Sequence, residues 1–282
     1  MAEHRYKAVV IDLFDTLVTW NPDALPTMQF RGREIRSTTP LLYGALEAAL
    51  GKRFDREKFS EAHASVFSEI FNARAQHDAV EITCLERFAR TLKRLDVDES
   101  IAAPLAEELR RIHMARVREV TKAPPARIEA MKKIAMHHRL GLISNFDDSE
   151  TGHLIMRDTG IRELFTAVII SADTGYRKPN PLIFKIILDA MRLEPADILF
   201  VGDTPLDDVL GSKGVGMHSA WIRRRRHEMP EGNRSRQFGS APGSTGSHRS
   251  STRLAELPPG IPAPDIIISD LAELPAVLGL QD

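Results

Sequence analysis

Apolar residues run without interruption through Ala8-Val9-Val10-Ile11 and stop abruptly at Asp12. A short continuous run of that kind predicts a strand buried on both faces, as in a parallel sheet. After Leu17 the pattern changes. Thr19 to Pro40 is polar, broken by Pro22, Pro26 and Gly32, and reads as a loop. Leu41 to Leu50 predicts a short amphipathic helix stopped at Gly51. Three more helical faces follow: Phe59, Val66, Phe67, Ile70 and Phe71; then Ile82, Leu85, Phe88, Leu92 and Leu95; then Leu105, Leu109, Ile112, Val117 and Val120. Spacings of three and four place each set on one side of a helix. Pro124-Pro125 closes the block, and no strand-like alternation occurs inside it. It reads as an all-helical insert.

From Ala126 onward helix and strand alternate. The expected helices are Ile128–His138, Asp147–Thr159, Pro181–Met191 and Leu206–Lys213, and the expected strands are Leu140–Ser144, Ala167–Ser171, Ile198–Gly202 and His218–Ile222. Repeated βα units at this spacing predict an α/β fold with a doubly wound parallel sheet. Arg223 to about Pro264 breaks the pattern with four arginines followed by Gly, Ser, Pro, Asn and Arg. Such a composition buries too little surface to offset ordering entropy, so the segment reads as a disordered loop. A sharper reading makes the basic stretch 223–253 a docking site for an acidic or phosphate-rich partner. Asp265–Ser269 then resumes as a final strand and Leu271–Leu278 as a closing helix.

Composition narrows the field only a little. A formal net charge of −1 argues against nucleic-acid binding by the surface as a whole. The single cysteine, Cys84, excludes a disulfide framework and fits a reducing compartment; it lies on a periodic apolar helix face and reads as core. The N-terminal MAEHRYK passes into the first strand with no charged-then-apolar leader, and no apolar run approaches the roughly 18 residues of a membrane span. A cytoplasmic protein is expected.

Four polar stretches stand at the ends of four expected strands: Asp12-Leu-Phe-Asp-Thr16, Ser144-Asn145, Arg177-Lys178-Pro179, and Gly202-Asp203 followed by Asp207-Asp208. Ligands of open α/β sheets bind at the carboxyl ends of strands. Each stretch is weak evidence alone, but together they supply the parts of a phosphoryl-transfer site. These are a carboxylate nucleophile, a hydroxyl for phosphate oxygens, a lysine, and carboxylates for a divalent cation. Mg²⁺ takes a few carboxylate oxygens plus waters, which Asp12 and Asp203 would provide.

In these stretches the sequence resembles the haloacid dehalogenase superfamily of aspartate-dependent hydrolases. SNF at Ser144–Phe146, GYRKPNPLIF at Gly175–Phe184, VGDTPLDDVLGSKGVGMH at Val201–His218 and the closing PDIIISDLAELP carry the resemblance, in order after DLFDTL at Asp12–Leu17. The resemblance implies a Rossmann-like core over 1–18 and 126–282, with 224–264 as the disordered basic loop, and a helical cap over 19–125. It implies Asp12 as nucleophile, Ser144 as phosphate-binding hydroxyl and Lys178 as bridging cation. It further implies Mg²⁺ held by Asp12, Asp203 and the Phe14 backbone carbonyl, with Asp207 and Asp208 behind them. Thr16 would orient the loop through its hydroxyl and add a backbone contact to substrate, and Asn145 would sit beside the phosphate or leaving group.

One departure matters. Phosphatases of this family usually carry a second Asp two residues after the nucleophile, as general acid and base, and here that place holds Phe14. General acid catalysis is typically worth about 10²–10⁴-fold, so alkyl phosphates should be poor substrates unless Asp15 or a cap residue substitutes. Asp15 is read as capping the turn. The leading expectation is a Mg²⁺-dependent phosphatase of a small phosphorylated metabolite. A 2-haloacid dehalogenase using the same Asp is the alternative reaction, towards which the aromatic Phe14 points. A degenerate binding or regulatory protein is the non-enzymatic one. His137-His138 read as a solvated helix end, Arg31, Arg33 and Arg36 as solvated loop arginines, and Trp20 and Asn21 as marking the exit from the core.

Overall fold

In the computed structural model, which describes residues 6–76, 80–223 and 256–280, the first apolar run forms β1 (Ala8–Ile11), buried throughout. The chain leaves through β2 (Thr19–Trp20) and a single turn at Pro22–Ala24, then makes a hairpin of β3 (Thr27–Phe30) and β4 (Arg33–Arg36). Four helices follow: α1 (Thr39–Leu50), α2 (Arg56–Gln76), α3 (Cys84–Arg94) and α4 (Glu99–Glu119). After β5 (Thr121–Lys122), which pairs with β2, the alternating part begins. It comprises α5 (Pro125–Ala135), β6 (Arg139–Ser144), α6 (Ser149–Asp158), β7 (Phe165–Ile170), α7 (Ser171–Thr174), α8 (Pro181–Met191) and β8 (Ile198–Gly202). A π-helical stretch at Pro205–Leu210 runs into α9 (Gly211–Gly214), followed by β9 (His218–Ile222), β10 (Ile266–Ile268) and α10 (Leu274–Val277).

Two compact units result. One comprises residues 20–121; the other is built from the described parts of 1–19 and 122–282. The second holds a six-stranded parallel sheet in the order β10-β9-β8-β1-β6-β7. β1 is central, with Ile11 opposite Val201 of β8 and Leu142 of β6. Asp12 therefore leaves the sheet where neighbouring strands run on in both directions, a switch point of the kind that binds ligands. Ala8, Val10, Ile143, Ile183, Phe184, Ile187, Met191, Ile198 and Phe200 pack as one core under this sheet. Side-chain caps start two of these helices: Asp148 accepts from Thr151 N in α6, and Asn180 from Leu182 N in α8.

The unit 20–121 is mostly helical, as expected, but the stretch read as a loop contains the β3–β4 hairpin. Met28, Phe30 and Ile35 pack it against Ala64 and Phe67 of α2. Arg31 and Gly32 both have positive φ, 48° and 71°, which is the two-residue hairpin turn that matches strand twist. Apolar alternation over so few residues is too short to stand out beside three turn-forming residues. In α3 the inward face is Cys84, Arg87, Phe88, Thr91 and Leu92, whereas Leu85 faces solvent at 40% exposure. His138, expected at a solvated helix end, is buried, with its Nδ1 2.8 Å from the Tyr6 carbonyl. Residues 224–255 of the segment read as a disordered basic loop lie outside the described residues. No described helix is long and apolar enough to cross a membrane.

Candidate active site

The four motifs converge at the carboxyl ends of β1, β6 and β8. Lys178, only 3% exposed, is the hub. Its Nζ donates to Asp12 Oδ1 at 2.7 Å, to Asp208 Oδ1 at 2.7 Å and to the Ile143 carbonyl at 3.2 Å, which uses all three ammonium protons. The Phe200 ring lies 5.3 Å from the same nitrogen. Burial alone would lower the Lys178 pKa, but the two carboxylates reverse that and hold it above its ordinary range. Asp12 feels the opposite balance. Burial, with Asp208 adding to it, outweighs Lys178 and pushes its carboxyl up to about 7.

Neighbours brace each member of the cluster. Asn145 clasps the Lys178 main chain, with Oδ1 accepting from its N–H at 2.7 Å and Nδ2 donating to its carbonyl at 3.0 Å. Its Nδ2 also donates to Asp207 Oδ2 at 3.3 Å. The Asn145 amide is thus taken up in holding Lys178 and Asp207, where the resemblance places it beside a phosphate or leaving group. Burial, helped by Asp208, pushes Asp207 up to about 6. Asp208 Oδ2 accepts from Thr204 N at 2.8 Å. Close packing reinforces that position: a Cβ at Gly202 would come within 2.3 Å of the Asp208 carboxyl. Trp221 Nε1 donates to the Asp203 carbonyl at 3.1 Å, fixing the backbone of that residue from β9.

The loop after Asp12 is tied by its own backbone. Leu17 N and Val18 N both donate to the Leu13 carbonyl at 2.9 Å, and Asp15 N to the Val18 carbonyl at 2.7 Å, with Asp15 at φ 64°. The expectation that the Thr16 hydroxyl orients this loop is not met. That oxygen is buried and makes no hydrogen bond among the described residues, and the same holds for Ser144 Oγ. Buried hydroxyls are normally paired, so both of these have hydrogen-bonding capacity left for a polar ligand. Phe14 makes an aromatic contact with Phe146, ring centroids 4.9 Å apart.

Asp12, Asp203 and Asp208 each offer a carboxylate oxygen, all within 4.8 Å of one another. Hard oxygen donors in such number fit Mg²⁺ better than a softer metal. Sequence reasoning missed the bracing roles of Asn145 and Trp221. An indole N–H bonded to a main-chain carbonyl 18 residues away leaves no local signature.

A model of haloacid dehalogenase-like hydrolases matches residues 6–216. The chain is 30% identical over 115 residues to the pyrimidine 5'-nucleotidase YjjG of Escherichia coli, covering 40% of this chain and 51% of that protein. It thus spans about half the length of the curated relatives it matches first. Among solved structures, the 2-haloacid dehalogenase of Pseudomonas syringae superposes with a TM-score of 0.61 at 20% identity, covering 97% of this chain and 98% of the other. The HAD phosphatase of Thermococcus onnurineus does so with a TM-score of 0.56 at 23% identity, covering 98% and 99%. Both likenesses speak to the fold, and the sequence match speaks to descent: the chain belongs to the haloacid dehalogenase-like hydrolases.

Proposed function

We propose that this hydrolase is a Mg²⁺-dependent phosphatase of small phosphorylated metabolites, with Asp12 as its nucleophile and the helical unit as its cap. The carrying observation is the Asp12–Lys178–Asp208 cluster with Asp203 within reach, beside the orphaned hydroxyls of Thr16 and Ser144. Asp12 Oδ attacks phosphorus, the bond to the leaving oxygen breaks, and an aspartyl phosphate forms. Water then attacks that phosphorus and frees the Asp12 carboxylate. Lys178 neutralises charge on nucleophile and phosphoryl oxygens, Ser144 and Thr16 donate to those oxygens, and Asp207 and Asp208 hold the cluster in place. Mg²⁺, when bound by Asp12, Asp203 and the Phe14 carbonyl, supplies further charge neutralisation to the phosphoryl group. Because Phe14 carries no proton, the leaving oxygen draws one from solvent, so esters of acidic alcohols and phenols are favoured. The similarity to the pyrimidine 5'-nucleotidase and to the glyceraldehyde 3-phosphate phosphatase of Pyrococcus abyssi supports the substrate class. A lone buried thiol, Cys84, accords with a cytoplasmic setting.

The dehalogenase reading keeps Asp12 and draws on Phe14. It places the carboxylate of a haloacid beside Asp203 and Asp208 with no metal to compensate, which electrostatics opposes. Hydrolysis of p-nitrophenyl phosphate, measured with Mg²⁺, with chelator and in Asp12→Asn, separates the two. Turnover is expected only with metal and intact Asp12. Release of chloride from 2-chloropropionate without metal, and no phosphate release, would replace the phosphatase reading by the dehalogenase one.

A further inference from the structure

Arg127 takes no part in the carboxylate cluster, yet it reaches the loop that carries Asp12. It stands in α5 and is 5% exposed, so its donors require partners. Nε and Nη2 form a fork on Asp270, 3.1 Å and 2.7 Å from Oδ2. Asp270 is held in turn, since its Oδ1 accepts from Ala272 N at 3.0 Å and so caps the turn Leu271–Glu273. With the guanidinium plane set by that fork, Nη1 donates to the backbone carbonyl of Asp15, at 3.5 Å.

Asp15 is the residue at which the loop adopts a left-handed backbone, a conformation that non-glycine side chains enter at a cost and that surrounding contacts must sustain. A peptide unit is planar, with its C=O and N–H on opposite sides. Anchoring the Asp15 carbonyl therefore also sets the direction of the Thr16 N–H, which has no backbone acceptor among the described residues. We propose that Arg127 is a positioning residue: braced by Asp270, it clamps the Asp15–Thr16 peptide and so holds the Asp12–Val18 loop in the conformation that presents Asp12 and Thr16 to the substrate. The proposal rests on the phosphatase reading for what is presented, and on geometry alone for the clamp.

The test uses the full chain with Arg127→Lys, which keeps the charge and loses the planar fork, and Asp270→Asn. The latter keeps an oxygen to cap Ala272 and loses the ion pair, at a side chain 40% exposed. Two readouts are taken: kcat and KM for p-nitrophenyl phosphate, and amide hydrogen exchange across Leu13–Val18 relative to β6 and β8. The expected result is a kcat roughly tenfold lower with KM within about twofold, and faster exchange confined to Leu13–Val18. Unchanged exchange in both variants, or faster exchange with unchanged kcat, overturns the proposal. If Arg127→Lys fails to fold, Asp270→Asn decides. If the wild-type chain releases no phosphate, the phosphatase reading falls, and the clamp is judged by exchange alone.

Discussion

Lys178 is the side chain on which the site turns. Its ammonium sits between two buried carboxylates, and three hydrogen bonds leave it no other conformation. Deleting it in Lys178→Met leaves Asp12 and Asp208 facing each other without a cation, so one of them takes up a proton. We expect kcat to fall at least about 10²-fold and stability by about 3–5 kcal/mol, read from urea unfolding. Gly202→Ala tests the same pair from the backbone. Its Cβ would meet the Asp208 carboxyl at 2.3 Å, so that carboxylate must leave Lys178 or the strand must shift. A destabilisation of about 1–3 kcal/mol and a marked loss of kcat are expected. An alanine enzyme with unchanged kinetics would contradict the fit described above.

At the scale of elements, the helical unit carries a buried polar cluster that the sheet unit does not share. His63 on α2 stacks between Phe59 and Phe88, with ring centroids 5.7 Å and 5.2 Å away, and its Nδ1 lies 3.3 Å from Thr91 Oγ1. His113 on α4 meets Thr38 Oγ1 through Nδ1 at 2.6 Å and Arg87 Nη2 through Nε2 at 3.3 Å. Burial, with Arg87 beside it, lowers His63 to about 3, and burial, Arg87 and His63 together hold His113 well below its ordinary value. The unfolded chain takes up these protons near 6.5, so the stabilisation is complete above that pH and is lost progressively below it, for His63 down to about 3. The slope is about 1.4 kcal/mol per pH unit for each histidine. Urea midpoints at pH 7 and pH 5 should show this loss, and His63→Leu should flatten it. Asp265 makes a smaller contribution of the same sign in the sheet unit. Burial would raise its pKa, but Ser219 N, Lys213 and His218 lower it to about 2. Its contribution is present above about pH 4 and disappears as pH falls towards 2, and solvent screening at this exposed position keeps it small. Asp265→Asn should remove it and loosen β9 from β10.

For the whole molecule, a cation bound to the native carboxylate cluster but not to the unfolded chain stabilises by mass action. At one hundred times its Kd this amounts to about 2.7 kcal/mol, so Mg²⁺ should raise the thermal midpoint of the wild-type chain. Asp203→Asn should abolish that shift; an equal shift in the variant would place the metal elsewhere. Much of this architecture was legible beforehand. The helix Pro181–Met191 and the strands Ile198–Gly202 and His218–Ile222 match the expected bounds, because each carries its own signal in burial pattern, proline or turn residues. The β3–β4 hairpin was hidden because short exposed strands have little apolar pattern to show. His138 and Leu85 were misplaced because a side chain's surroundings depend on which element packs over it.

The sequence by itself determined the alternation of helix and strand after Pro125 and the set of polar residues at strand ends, since periodicity and motif spacing are local properties. Only the tertiary structure decided that Lys178 bridges residues 166 and 30 positions away, that Asn145 serves the lysine backbone, and that Arg127 reaches back to Asp15. Hydrogen bonds of this kind are settled within tenths of an ångström by strand register and helix packing. Many residues share in setting that geometry, and no single stretch of chain encodes it.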